Sequence, residues 1–261
     1  MEAIQNILQK QTESIPSDSG LDRQQLLLEF YNARVGSLKG YNCDKCLNRG
    51  FIGYFNNEGD LVNRTCECVK LRERENAVKA SGLAEYIDKK TFGSFKDSED
   101  WQFAMKSRIQ HYAENPSGWL FVAGQTGCGK THLCTAVCRE LIMSGRDVLY
   151  MKWLDICQKL HAVKFNDAVY EMHLQEIRNV DVLYIDDFFK QDKPDKEIAY
   201  EILDARYISK KTTIITSERY IEDLMNIDEA IAGRIREMSE GNMIQILKQD
   251  GRNYRLKGMK I

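Results

Sequence analysis

The run Gly124-Gln125-Thr126-Gly127-Cys128-Gly129-Lys130-Thr131 has the spacing G-x-x-x-x-G-K-[ST]. Glycines so placed let the backbone fold into a nest of N–H groups around phosphate oxygens, and a helix starting there adds its positive end. Lys130 is then positioned to reach the β- and γ-phosphates, and the Thr131 hydroxyl to bind Mg2+. Cys128 fills a variable position: the nearby helix N-terminus would acidify its thiol, whereas a small filler would stay inert.

A second constellation is Val182-Leu183-Tyr184-Ile185-Asp186-Asp187, four residues suited to a buried strand followed by two acids. Downstream of a phosphate loop, Asp186 belongs in the Mg2+ shell and Asp187 is placed to orient or deprotonate an attacking water. Aspartate is one methylene shorter than the glutamate usual at the second position, which predicts slow hydrolysis or a shifted water.

A third is cysteine-based: Cys43-Asp44-Lys45-Cys46 and Cys66-Glu67-Cys68, a C-x2-C and a C-x-C pair separated by Leu47 to Thr65. Four sulfurs on two tight turns match tetrahedral Zn2+, with an iron–sulfur cluster or ordinary thiols as the other options. A hairpin turning at Asn56-Asn57-Glu58-Gly59-Asp60 would join the pairs. Cys134, Cys138 and Cys157, with Cys128, read as core residues, and His111, His132, His161 and His173 have no ligand spacing with them.

These groups need elements to hold them. From Trp119 onward, short apolar runs alternate with helical patterns: strands over Trp119–Ala123, Val148–Met151, Val182–Ile185, Thr212–Thr216 and Met243–Leu247. Helices are predicted over Lys130–Ser144, Trp153–Val163, Asp195–Lys210 and Ile221–Met238. Such alternation specifies an α/β fold, a parallel five-stranded sheet with helices on both faces and ligands at the carboxyl ends of the strands. Upstream, Ile4, Ile7, Leu8 and then Leu27, Phe30, Tyr31 suggest a short helical hairpin broken at Ile15 to Gly20, and Val69 to Ser81 a charged helix stopped by Gly82. The predicted division is a helical and cysteine module over 1–80, a linker over 81–95 and the sheet domain over 96–261.

The 261 residues carry 37 Lys plus Arg against 39 Asp plus Glu, so net charge alone points to no nucleic-acid partner. Any such surface is local: Arg49, Arg64, Lys70, Arg72 and Arg74 with Tyr41, Phe51, Tyr54 and Phe55 in the cysteine module, where interleaved Glu67, Glu73 and Glu75 more often mark a solvated face, and Lys152, Lys159 and Lys164 in the sheet domain. Met1 to Lys10 contains no apolar run, and no later stretch approaches the roughly 18 apolar residues of a membrane span, which predicts a cytoplasmic protein with no membrane contact. Eight cysteines then read as thiols or ligands, not as a disulfide framework.

From about Phe92 onward the chain resembles AAA+ ATPases of the DnaC/DnaI helicase-loader and IstB transposition-helper group. The resemblance rests on Gly124 to Thr131 continuing as His132-Leu133, on Leu183 to Asp187, on Thr213-Ile214-Ile215-Thr216-Ser217 and on Ile231-Ala232-Gly233-Arg234-Ile235. It implies ATP as the nucleotide, held by residues 124–132 with Asp186, and self-association that lets a neighbouring subunit insert an arginine. Arg234 matches that finger, with Arg236 its nearest rival, and Arg255 or Arg252 matches a second nucleotide-sensing arginine. Phe92 and Phe95 match a segment near the adenine. The family's asparagine after the fourth strand is missing: Thr216-Ser217 is followed by Glu218 and Arg219. A carboxylate there requires compensation by Mg2+, Lys130 or Arg219, unless Ser217 takes the role or turnover is slow. The cysteine segment resembles the N-terminal part of loaders related to DnaI and is usually lacking in transposition helpers. The implied activity is therefore ATP-dependent delivery of a replicative DNA helicase to single-stranded DNA. An IstB-like helper ATPase and a zinc-dependent adaptor with negligible hydrolysis are the alternatives.

Overall fold

The computed structural model describes residues 23–39 and 42–254. The chain divides into two compact units, Met1–Glu75 and Asn76–Ile261. The first part of the expected helical hairpin lies outside the described residues, as does Tyr41.

In the first unit, α1 (Arg23–Asn32) precedes an antiparallel hairpin of β1 (Phe51–Phe55) and β2 (Leu61–Thr65), with Gly53 opposite Asn63. The turn forms where Asn, Gly and Asp accumulate: the Asn56 side-chain oxygen accepts from the N–H of Glu58 at 3.0 Å and of Asp60 at 2.8 Å. The Asn32 amide completes the backbone of β1, donating to Gly53 O at 3.0 Å and accepting from Gly53 N at 2.9 Å. Helix α2 (Cys68–Ala80) starts at the second cysteine pair.

The second unit is built on five parallel strands: β3 (Leu120–Gly124), β4 (Val148–Lys152), β5 (Val182–Phe188), β6 (Thr212–Ser217) and β7 (Met243–Ile246), in the order β4-β5-β6-β3-β7. Strands buried on both faces cannot alternate apolar with polar, and Leu120 to Gly124 is buried throughout. One face is covered by α3 (Asp100–Glu114) and α4 (Lys130–Met143), through Met105, Ile109, Leu133 and Val137. The other is covered by α5 (Trp153–Ala162), α6 (Asp167–Asn179), α7 (Lys196–Ile208), α8 (Ile221–Ile227) and α9 (Glu229–Met238). Cys134, Cys138 and Cys157 are buried in these two cores.

Three departures from the sequence reading have local causes. The single helix expected over Ile221–Met238 breaks at Asp228, whose carboxylate caps α9 by accepting from Ile231 N at 3.0 Å; capping outweighs the continuous apolar period. Helix α6 was not anticipated, although Asn166 caps it and Leu174 and Ile177 bury its inner face. Residues 81–95 are not a free connection. Tyr150 N donates to Ser81 O at 2.7 Å on the outer side of edge strand β4, and Leu83 and Ile87 are buried in the core. Gly82 makes this approach possible: at φ +77°, a side chain there would meet Tyr150 O at 2.9 Å.

The start of the sheet is tied by Arg206 on α7, which is fully buried. Its guanidinium donates to the carbonyls of Ile177, Arg178, Val180, Asp181 and Thr212 and to the Thr213 hydroxyl. Burial pulls its pKa down to about 10, against the opposing charge of Asp181.

Candidate nucleotide site and cysteine cluster

Strand β3 delivers the phosphate loop to the carboxyl edge of the sheet, where it runs into α4. Gly127 and Gly129 have φ of +79° and +98°, which side chains tolerate poorly, and a Cβ on Gly129 would lie 2.5 Å from the Phe95 ring. Lys130 is buried and folded back on its own loop, its Nζ donating to Gly124 O at 2.7 Å and Gln125 O at 3.1 Å. Cys128 is buried beside it, and burial raises its thiol pKa despite Lys130, so it is not acidified.

The carboxyl end of β5 brings Asp186 against this loop. Thr131 Oγ1 donates to Asp186 Oδ1 at 3.0 Å, Tyr184 OH donates to the same oxygen at 3.1 Å, and Tyr150 OH donates to Oδ2 at 3.3 Å. Thr216 Oγ1 also donates to Oδ1. Burial and then the Asp186 charge raise both tyrosine pKa values, so the phenols remain donors. Thr131 at the start of α4 and Asp186 at the carboxyl end of β5 offer the oxygen donors that Mg2+ prefers.

Asp187 has φ +57° at an irregularity within β5; its N–H donates to Thr216 Oγ1 at 3.1 Å, and its Oδ2 accepts from Lys190 Nζ at 3.0 Å. The same ammonium lies 3.3 Å from Glu218 Oε1, which also accepts from the Thr126 hydroxyl at 2.6 Å. Burial alone would raise the Glu218 carboxyl, but Thr126 and Lys190 hold it below its ordinary value. Lys190 is therefore the direct partner of the unexpected carboxylate, a residue the sequence reading missed. Arg219, the expected compensator, points elsewhere, its Nε donating to Phe189 O at 2.7 Å. Ser217 is buried and donates to Phe188 O at 2.8 Å, away from the phosphate loop.

These groups line a cavity of about 650 Å3, whose wall includes Tyr86, Phe95, Tyr150 and Tyr254 beside the loop. His132 packs edge-on to Phe95 with ring centroids 5.3 Å apart, and its Nε2 lies 2.9 Å from Thr91 O; burial lowers its pKa. Phe92 is half-buried in the adjoining core. Gln125 Oε1 accepts from Gln249 N at 2.7 Å, and Tyr254 N donates to Gly127 O at 3.0 Å, which lays the end of the described chain over the loop. Arg252 turns to Trp101 and to Leu247 O; Arg255 lies outside the described residues.

Neither finger candidate lines this cavity. Arg234 on α9 is held by Asp204 Oδ1, at 2.6 Å from NH2 and 2.9 Å from Nε, with its guanidinium over the Tyr200 ring. Arg236 is exposed in a separate depression with Gly233 and Glu237. The basic residues considered for nucleic acid are also redistributed. Lys152 lines the nucleotide cavity, Lys159 pairs with Glu176 at 2.9 Å, and Lys164 stands over the Phe165 ring. Arg49 and Arg72 serve the fold of the first unit. Arg49 donates to Tyr31 O at 2.8 Å, and Arg72 donates to Lys39 O and to Asn48 Oδ1.

In that unit Cys43, Cys46, Cys66 and Cys68 are all buried, with their sulfurs within 4.8 Å of one another. The Cys43–Cys66 and Cys46–Cys68 sulfur separations are 3.8 and 3.4 Å. Ligands about 2.3 Å from a tetrahedral zinc stand roughly 3.8 Å apart, so the cluster fits that ion. Burial raises the Cys66 thiol, whereas at Cys46 the Gly50 N–H and the neighbouring sulfurs outweigh it and bring the pKa down to about 6. At Cys68 burial and Cys46 push it up to about 12.

Comparison with known proteins places this geometry. Residues 87–240 match the family described as the bacterial DnaA ATPase domain. The phage-like element PBSX protein XkdC of Bacillus subtilis is 30% identical over 241 residues, covering 84% of this chain and 88% of that protein. Bacillus subtilis YqaM is 30% identical over 72% of this chain, which spans 64% of YqaM's length. The replicative helicase loader DnaC of Escherichia coli K12 is 30% identical over 60% of this chain and 66% of its own. Among solved structures, DnaI superposes with a TM-score of 0.52 at 19% identity, over 64% of this chain and 92% of DnaI. AMPPCP-bound DnaA from Aquifex aeolicus gives 0.52 at 22%, over 65% of this chain and 53% of DnaA. At those identities the structural likeness concerns the fold. Among the described residues no helix is long and apolar enough to cross a membrane.

Proposed function

Because the chain belongs to the family of the bacterial DnaA ATPase domain and is an AAA+ ATPase, we propose that it loads a replicative DNA helicase onto single-stranded DNA, with ATP turnover as the switch between bound states. The observation that carries this reading is the joining of two features in one chain: a complete nucleotide site related to DnaC and a four-cysteine module ahead of it. We assign residues 1–80 to helicase docking and the sheet domain, with residues 81–95 packed into it, to nucleotide work, with assembly through AAA+ interfaces in the cytoplasm.

Phosphoanhydride hydrolysis needs charge compensation and a placed water. The N–H groups of residues 124–129 and the Lys130 ammonium bind phosphate oxygens; Lys130 must exchange its carbonyl partners for them. Thr131 and Asp186 would hold Mg2+, which supplies charge neutralisation at the β- and γ-oxygens. The Tyr150 and Tyr184 hydroxyls orient the Asp186 carboxylate, and Asp187 orients water or takes its proton. Arg234 is the residue supplied to a neighbouring subunit's site, and its Asp204 contact must open for that. Zinc is the resident ion of Cys43, Cys46, Cys66 and Cys68, closing a module too small to make its own core.

The Thr126–Glu218 contact ties the phosphate loop down and, with the short Asp187 side chain, supports the alternative of an adaptor with negligible hydrolysis. Purified full-length protein should retain the replicative helicase on affinity resin and hydrolyse ATP faster with single-stranded DNA. Capture of a transposase instead, or absence of turnover under both conditions, would replace the loader reading by the helper or the adaptor.

A further inference from the structure

We propose that Lys190 binds the γ-phosphate from within the same chain, forming with Glu218 a charged pair that performs the discrimination between nucleoside triphosphate and diphosphate. This rests on the ATPase reading of the site and goes beyond it by adding a cation that lies outside both the phosphate loop and the DD pair.

The argument begins with charge. Asp186, Asp187 and Glu218 all line the cavity, and a triphosphate tail brings further negative charge to the same place. Lys130 answers for the phosphates, and Mg2+ for Asp186. Among those assignments Lys130 gives Glu218 only a minor compensation, and Arg219 is committed to the carbonyls of Phe189 and Gln191. Lys190 is the cation that meets both remaining carboxylates, at 3.0 Å from Asp187 Oδ2 and 3.3 Å from Glu218 Oε1. An ammonium has three N–H donors and these two contacts use two of them, so one remains for a phosphate oxygen. The Lys190 side chain is 51% exposed and lines the cavity with Lys130, so a ligand there can reach it.

The backbone fixes where that ammonium stands. Asp187 and Phe189 have φ of +57° and +53°, one left-handed residue on each side of Phe188. Such conformations in residues other than glycine persist only where the surroundings impose them. Here the anchor is Phe188 and Phe189, both fully buried, stacked at 4.0 Å and packed on Trp153. Lys190 therefore leaves a pinned turn. A neutral side chain after β6 would need no such partner; a carboxylate does, and Glu218 in return holds the ammonium while the Thr126 hydroxyl holds Glu218.

The consequence is a preference for the triphosphate that Lys190 adds to the binding both nucleotides receive from the phosphate loop. The test is equilibrium titration of full-length protein with fluorescent ATPγS and ADP, for the wild type and for Lys190→Met, Lys190→Arg and Lys130→Ala, with thermal unfolding of each. Lys190→Met should lose on the order of tenfold in ATPγS affinity while ADP affinity stays within about twofold, as expected for one charge-assisted hydrogen bond to the terminal phosphate. Lys190→Arg should restore most of the preference, and Lys130→Ala should weaken both nucleotides. Equal losses for ATPγS and ADP in Lys190→Met, no loss, or a wild type without preference would overturn the inference while leaving the ATPase reading in place. A wild-type chain that binds neither nucleotide would remove that reading and this inference together.

Discussion

The two units of this chain solve the same problem by different means. In the first, the described buried cluster is four cysteines with Ile52 against them. In the second, a sheet buries large side chains on both faces, from Trp119, Phe121 and Trp153 on one to Tyr112, Leu120 and Tyr184 on the other. Apolar burial scales with the surface removed from water, so the larger unit is held by its own side chains, whereas the smaller, on the proposed zinc reading, would depend on the ion its sulfurs hold. The sharpest way to break this contrast is Cys46→Ser. Structural zinc contributes on the order of 10 kcal/mol of folding energy to small modules, so the variant should lose its zinc and its protection from hydrogen exchange over residues 43–68. The sheet should keep its thermal transition. Elemental analysis and hydrogen exchange on the same sample decide it, and a protected, metal-free module would refute the contrast.

The converse experiment removes a keystone from the second unit. Arg206→Met leaves five carbonyls without the guanidinium they share, and each buried unsatisfied group costs about 1–3 kcal/mol. Even with relaxation, a loss of at least about 3 kcal/mol in urea unfolding is expected, with the zinc content unchanged. A near-neutral result would mean that the sheet does not depend on that tie.

The two units also differed in how far their residues could be read in advance. Cysteine spacing predicts the cluster directly, because two short-range pairs must each form a tight turn. Likewise, the phosphate loop and Asp186 follow from a motif whose chemistry is local in sequence, and the five strands from apolar runs. Lys190 was not legible. Its partner Glu218 is far along the chain, and only the left-handed turn at Asp187 and Phe189 brings the two together. Arg49 and Arg72 were illegible for the opposite reason: basic residues among aromatics and acids fit either a nucleic-acid surface or a solvated face, and neither pattern shows the carbonyls they meet. The Ser81 contact was not legible either, because it is made by a backbone carbonyl that leaves no mark in the side-chain pattern.

Assembly would sharpen the comparison by giving the second unit a role no single copy performs. Arg234 lies outside its own nucleotide cavity, held to Asp204. Arg234→Ala should bind ATP like the wild type yet lose assembly-dependent turnover, with arginine fingers contributing on the order of 10³ in rate. Mixed with Lys130→Ala protein, it should regain activity, because an intact loop then meets an intact arginine at some interfaces. No recovery in assemblies shown to hold both variants would pass the role to Arg236 or to the helicase.

The smallest expected effect concerns ion pairs, and it separates the units once more. Lys45 and Glu67 in the first unit are 70% and 83% exposed, and their pairing should leave no measurable trace in stability. Arg146 and Asp181 in the second form a two-pronged contact at 2.8 and 2.7 Å, with Thr212 Oγ1 accepting from the same guanidinium at 3.1 Å. Hydrogen bonding from Arg146, against the opposing effect of burial, lowers the Asp181 pKa. A carboxyl whose folded pKa is depressed stabilises the fold above its unfolded value of about 3.9, and that contribution is lost as pH falls through the folded value. With Asp181 46% exposed, solvent screening limits it to about 0.5 kcal/mol. Asp181→Asn should therefore lower the urea midpoint slightly and equally at pH 7 and pH 5. The gap to wild type should close as the pH drops below about 3 and should narrow in high salt. A gap that stays constant down to the acid limit would mean that Asp181 acts through shape and hydrogen bonding alone, and that charge contributes as little to the sheet as it does to the cysteine module.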